Sequence, residues 1–283
     1  MQNKLVVCYI GQDVEDFLPL SLDSVKDVAD AIVFVDGGSE DNTIEILKQN
    51  YDFIPYFDSG LVFDNTGKDD DNILKLKRFL LRRPYEHKHK GANGRARNCY
   101  LDYIKKHFKG YLCLVLDPDE IVDDRFAQFL KSEEVNKIED EHLLSIHMRH
   151  TIRDLATEDA TIPQHFVHNR MFKVTDNLQY PESEHPLLIS TSPNVRYGYT
   201  NLFTIWHLGY SREMFTIMKK YKNHMSKSTS HTPEFLHQWK NWHLFSTYPC
   251  KKFSPVELPS TVKNHFGIID DEIYFTNRGL ELK

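Results

Sequence analysis

Three unbroken apolar runs limit what this chain can fold into: Leu5 to Ile10, Ala31 to Val35 and Tyr111 to Leu116. None alternates with polar residues, so each reads as a strand buried on both faces, as in a parallel sheet covered by helices. Helical patterns separate them. Phe17 to Ala29 places Leu18, Leu22, Val25 and Ala29 on one face, and Pro19 falls in the first turn, where proline is tolerated. A second helix begins near Asn42, with Glu45 as its capping-box partner. A third carries Ala96, Tyr100, Tyr103 and His107 on one face and stops at Gly110. The alternation predicts an α/β fold with a mostly parallel, Rossmann-type sheet flanked by helices.

The pattern changes after Ile121. Leu143 to Met148, Arg170 to Val174 and Asn201 to Leu208 read as strands without a regular helix between them, and Met214 to Met225 reads as a helix. Residues 1–120 thus form one half and 121–283 a mixed second half of one continuous domain, ending in a helical or irregular segment. Asp58 to Gly91 is polar and without period, which suits a functional loop.

Composition narrows the function classes. Lys and Arg number 35 against 41 Asp and Glu, a net charge of −6, so the surface as a whole does not suit a phosphate-backbone binder. No stretch reaches the roughly 20 apolar residues a membrane helix needs. The first apolar run is too short for a signal-peptide core and lacks a small-residue cleavage site, so a cytoplasmic protein is expected. Cys8, Cys99, Cys113 and Cys250 form no Cys-x-x-Cys pair, and the first three sit in apolar patterns as buried thiols.

Two of the apolar runs end in acids. Leu112 to Leu116 leads into Asp117-Pro118-Asp119-Glu120, at the carboxyl edge where open α/β sheets bind ligands. Residues two apart in extended chain share a side, so Asp117 and Asp119 can face one hard cation, Mg²⁺ or Mn²⁺. Val33 to Val35 leads into Asp36-Gly37-Gly38, where the glycines let the chain turn and leave Asp36 to accept from a base N–H or a ribose hydroxyl. Ser39, Asp41 and Asn42 read as helix caps. The pairs His147-x-x-His150 and His165-x-x-His168 have metal-ligand spacing only on a helix, and their sequence is strand-like or loop-like. Lys219, Lys220 and Lys222 with His87 to Lys90 offer a basic groove for an acidic acceptor.

In order, these elements resemble the family 2 glycosyltransferases of the GT-A fold: Phe17-Leu18, Val35-Asp36-Gly37-Gly38-Ser39, Ala96-Arg97-Asn98, Asp117-Pro118-Asp119-Glu120, Asn169-Arg170-Met171-Phe172-Lys173 and His207-Leu208-Gly209-Tyr210. The last two resemble landmarks of a bacterial-type subgroup, and the whole covers about residues 4–225. The resemblance implies inverting transfer of a sugar from a metal-bound nucleoside diphosphate sugar, a uridine one. Asp36 would hold the base, with Tyr9 to Gln12, Ile10 included, flanking it. Asp117 would contact ribose or metal, and Asp119 the metal bridging the diphosphate. His207 would complete the metal shell or touch a phosphate, while Lys90 and Arg95 would add positive charge near the donor. The acceptor is open among glycan, protein, small molecule and nucleic acid.

An inverting transfer needs a general base near the acceptor hydroxyl. The subgroup offers a His-Glu pair; here the order is Glu182-Ser183-Glu184-His185, making Glu184 the candidate base and Glu182 the second. Gly37 also stands where the family has a second acid. Two alternatives follow. Asp117-Pro118-Asp119 resembles the nucleophile motif of haloacid-dehalogenase-type phosphatases, although Ile121 follows it and two strand–helix units precede it. Otherwise the chain is a glycosyltransferase-like module that binds nucleotide or sugar without turnover.

Overall fold

The computed structural model describes residues 4–56, 78–83, 92–160, 168–183, 186–211, 249–254, 257–266, 268, 275–276 and 279–280. The first half runs β1 (Leu5–Gly11), α1 (Leu18–Val25), β2 (Ala31–Asp36), α2 (Thr43–Tyr51), β3 (Ile54–Tyr56), β4 (Arg78–Arg82), α3 (Ala92–His107) and β5 (Leu112–Leu116). Parallel pairing orders it β5-β1-β2-β4-β3. Each predicted apolar run is one of these strands, and β1, β2 and β5 are buried at every residue.

Alternation splits each strand between two cores. Val7, Tyr9, Ile32, Phe34 and Leu114 pack with Leu18 and Leu22 of α1 and Leu47 of α2. Val6, Cys8, Val33, Val35 and Cys113 pack with Tyr100, Leu101 and Ile104 of α3. The sheet is thus covered on both faces, as the apolar runs require.

The second half comprises β6 (Glu120–Val122), α4 (Asp124–Lys131), β7 (His142–Ile152), β8 (Thr157–Asp159), β9 (Asn169–Lys173), β10 (Leu178–Gln179), β11 (Ile189–Ser190), β12 (Arg196–Tyr210), β13 (Cys250–Lys252), α5 (Ser260–Phe266), β14 (Phe275–Thr276) and β15 (Gly279–Leu280). The sheet continues past β5 without a break through antiparallel β9, then β7, β8 and β13. The long β12 runs parallel to β7 and antiparallel to β6. This is the expected mixed half. Among the described residues no helix is long and apolar enough to cross a membrane.

Several local expectations need correction. Helix α1 stops at Val25 instead of Ala29. Asn42 makes no capping-box bond: its amide and side chain both donate to Glu15, and Asp41 Oδ1 accepts from Thr43 N at 2.9 Å. The span 58–91 is not wholly irregular, because Arg78 to Arg82 is an interior strand between β2 and β3. Cys99 is only half-buried, although all four cysteines are free thiols. The expected helix over Met214 to Met225, His165 and the lysines at 219–222 lie outside the described residues.

Asp123 joins two elements at the root of the site. Its Oδ1 caps α4 by accepting from Phe126 N at 2.6 Å, and its Oδ2 accepts from Thr204 N at 2.9 Å on β12. Asp123→Ala is expected to cost about 1–2 kcal/mol, read by denaturant unfolding, as for loss of a helix cap. An unchanged unfolding midpoint would contradict this assignment.

Candidate functional site

A cavity of about 280 Å³ opens at the carboxyl ends of β1 and β5, bounded by Gly11, Arg97, Asp117, Asp119, Arg170 and His207. These residues come from β1, α3, the turn after β5, β9 and β12, so the crossing of the two half-sheets brings them together. Ile10 also lines the wall.

After β5 the chain turns tightly, with Glu120 N donating to Asp117 O at 2.9 Å. Among the described residues no three acids or histidines, Asp117 and Asp119 included, gather around one point. The Asp117 carboxylate faces two guanidinium groups, Arg97 Nη2 at 2.7 Å and Arg170 Nη2 at 3.4 Å. Burial would lift this carboxyl, but Arg97 and then Arg170 outweigh it and hold it well below the usual range. Its side chain is still 31% exposed, so the acid–guanidinium pairing opens onto the cavity.

Arg170 also pairs with Glu120, which is 1% exposed and accepts from Asp117 N at 2.8 Å. Burial pushes the Glu120 carboxyl up to about 8 against the pull of Arg170. Two acids and two arginines thus form one knot beneath the cavity.

Asp119 lies against His207. Its Oδ1 lies 3.6 Å from His207 Nε2, and both side chains are largely buried. Backbone pairing fixes this approach, since Leu208 N donates to Asp119 O at 2.8 Å. On its far side, His207 Nδ1 is 3.2 Å from Nδ1 of His150, its register partner on β7. Burial, then His207 and Arg170, hold His150 well below the usual histidine range, so it is a neutral imidazole. That places His150 behind a site residue, a role that its spacing to His147 did not indicate.

The Asp119–His207 pair fits a divalent cation. Neighbouring ligands of Mg²⁺ or Mn²⁺ stand about 3 Å apart when each is about 2.1 Å from the ion. Among the described residues no group of three His, Cys, Asp or Glu surrounds one point. Two protein donors leave the remaining positions to phosphate oxygens and water, the usual arrangement for Mg²⁺. Gly209 leaves room beside this pair: a Cβ there would run into Asp119 Oδ2 and stand 3.1 Å from His207 Nε2. Gly209→Ala is therefore expected to weaken Mn²⁺ binding by about 10- to 100-fold in a fold of unchanged far-UV dichroism. Wild-type Mn²⁺ affinity in that variant would contradict the site.

The other expected residues are placed as follows. Asp36 ends β2 at 2% exposure, outside the cavity wall. It accepts from Ser39 N at 3.0 Å, Ser39 Oγ at 2.7 Å and Gly38 N at 3.0 Å, so its carboxylate holds the turn into α2. Arg95 pairs with Glu182 at 3.2 Å. The segment carrying Glu182 is clamped to the start of α3, with Gly94 N donating to Ser183 O at 3.1 Å and a Cβ on Gly94 colliding with Pro181 O. Asn98 fastens the same segment by exchanging two bonds with the Tyr180 backbone, each 2.9 Å. Lys90 and Glu184 lie outside the described residues. Arg97 and Arg170, which bracket Asp117, were singled out by the sequence only as parts of landmarks.

No family model and no curated protein matches the chain. Among solved structures it is similar to residues 1–349 of S. aureus TarS, at 13% identity and TM-score 0.44, covering 85% of this chain and 70% of that one. It is likewise similar to that fragment in complex with UDP-GlcNAc, at 14% identity and TM-score 0.41, covering 85% and 72%. For a longer TarS structure the identity is 15% and the TM-score 0.38, covering 85% of this chain and 43% of that one.

Proposed function

We propose that this chain is a glycosyltransferase that moves a sugar from a nucleoside diphosphate sugar, a uridine one, to an acceptor hydroxyl. The observation that carries the reading is the division of labour in the cavity. Asp119 and His207 face each other at the spacing of two cation ligands, while Arg97 and Arg170 line the wall beside them. A cation site adjoining two guanidinium groups suits a diphosphate, which presents several anionic oxygens within a few ångström.

In this assignment Asp119 and His207 hold Mn²⁺ or Mg²⁺, and Asp117 orients Arg97 and Arg170. When bound, the cation supplies Lewis-acid compensation for charge on the departing diphosphate. Arg97 and Arg170, fixed in place by Asp117 and Glu120, add preorganised positive charge that needs no rearrangement during transfer. Asp36 is assigned to the base by the family resemblance; its buried carboxylate already accepts from Gly38 N, Ser39 N and Ser39 Oγ and so acts through the turn it holds. Ile10 and Gly11 flank the base, and Lys90 is assigned to add positive charge near the donor, as the sequence reading has it. Glu184 is the proposed base that takes the acceptor proton, since Glu182 is engaged by Arg95. Inversion follows the family resemblance.

The geometry disfavours the phosphatase alternative. A nucleophilic carboxylate needs a free oxygen aimed at phosphorus, and the Asp117 carboxylate is bracketed by Arg97 and Arg170. The test is release of UDP from UDP-glucose, UDP-galactose and UDP-GlcNAc, with and without Mn²⁺. Cation-dependent turnover of one of them is expected, with Glu184→Gln lowering transfer while leaving UDP affinity unchanged. Hydrolysis of p-nitrophenyl phosphate with no turnover of any nucleotide sugar would overturn the proposal.

A further inference from the structure

The large apolar side chains exposed among the described residues are Leu187, Ile189, Tyr197, Tyr199 and Leu202, at 36–70% exposure, and all fall within residues 187–202. Tyr197 and Tyr199 are two apart on β12, so their rings stand on one side of the strand, roughly 7 Å apart along it. The register relates that side to the cavity. Tyr199 pairs with Ser145 on β7, and Ser145 pairs with Asn169 on β9, which lines the cavity. Two cross-strand contacts keep these residues on a common face: His147 Nδ1 to Tyr199 OH at 3.1 Å, and Ser145 Oγ to Asn169 Oδ1 at 3.2 Å. Two strand spacings put Tyr199 about 10 Å from the cavity wall. The segment bearing Leu187 and Ile189 borders the same face, because Asn169 Nδ2 donates to Leu188 O at 3.0 Å.

We infer that this face, with Tyr197, Tyr199 and His147 at its centre, is the docking surface for the acceptor, and that the acceptor is a neutral saccharide; the inference rests on the transferase reading above. Charge and chemistry select the occupant. The two cations flanking the face are matched by acids, Arg196 by Glu139 and Lys173 by Asp140, so among the described residues the face carries balanced charge and not the basic stripe that a nucleic-acid backbone needs. A pyranose ring has an apolar C–H face and an edge of hydroxyls. Exposed tyrosine rings provide flat apolar area at low entropic cost together with a polar tip. His147, half-buried and bonded through Nδ1 to Tyr199 OH, adds an imidazole to the same face on the side toward the cavity.

The test is saturation-transfer NMR on the full chain with chitotetraose, maltotetraose and cellotetraose as probes, paired with a UDP titration in Mn²⁺ on the same samples. Saturation of ring C–H protons is expected for at least one tetrasaccharide. Tyr197→Ala and Tyr199→Ala should each weaken it about tenfold, Tyr199→Phe should stay within a few-fold, and none should change UDP affinity. Because both tyrosines are exposed, these variants keep the fold. No transfer to any of the three probes, equal affinity in the alanine variants, or a dimer that Tyr197→Ala dissociates would each overturn the platform. Tyrosine-dependent saccharide binding without UDP binding would sustain the platform and remove the transferase reading instead.

Discussion

Asp119→Asn is expected to lower nucleotide-sugar turnover by at least about a hundredfold, since a cation beside a departing diphosphate contributes several kcal/mol. Asparagine keeps the shape and the backbone bond from Leu208 N to Asp119 O, so the fold should survive. What is lost is the anionic oxygen 3.6 Å from His207 Nε2. Electron paramagnetic resonance of free Mn²⁺ checks the cause separately from turnover: the variant should leave in solution the Mn²⁺ that wild type binds. A variant that turns over donor at the wild-type rate would show that Asp119 is a turn residue and nothing more.

The second large effect concerns stability. Arg170 is 4% exposed and pairs with both Asp117 and Glu120. Arg170→Met fills a similar volume but leaves Glu120 as a buried acid without its cation. Burial already favours the protonated Glu120, so what is lost is the hydrogen-bonded partner, about 1–3 kcal/mol and a fall of roughly 5 °C in the thermal midpoint. The double variant Arg170→Met/Glu120→Gln should recover much of that loss, because the acid left unpaired is gone. Asp117 keeps Arg97 in both variants. A single variant as stable as wild type would show that the knot beneath the cavity does not hold the fold, and that its acids and arginines are kept for the ligand alone.

How much of this could be read from the sequence follows from what was local. β1, β2 and β5 are continuous apolar runs because both faces of each strand are buried, and composition alone reveals that. β4 was hidden because only Phe79, Leu80 and Leu81 carry the pattern, between arginines in a polar stretch; its burial comes from β2 and β3 on either side. β12 begins at Arg196, well before the predicted Asn201, because its first half is exposed and carries tyrosines at alternate positions in place of an apolar run. The acids after β5 were legible as a cation-binding pattern. The partners of Asp117 were not, since Arg97 and Arg170 are 20 and 53 residues away from it. Asp36 shows the opposite case: the glycines beside it suggested an open carboxylate, but Gly38 N and Ser39 fold back onto it.

Calorimetric titration of UDP in the presence and absence of Mn²⁺ tests the central claim most directly, with GDP as the comparison nucleotide. The cavity described here predicts UDP binding that requires the cation, prefers UDP to GDP, and disappears in Asp119→Asn. Failure of either nucleotide to bind with or without Mn²⁺ would contradict the donor site, and the acids after β5 would then be the capped end of a buried strand.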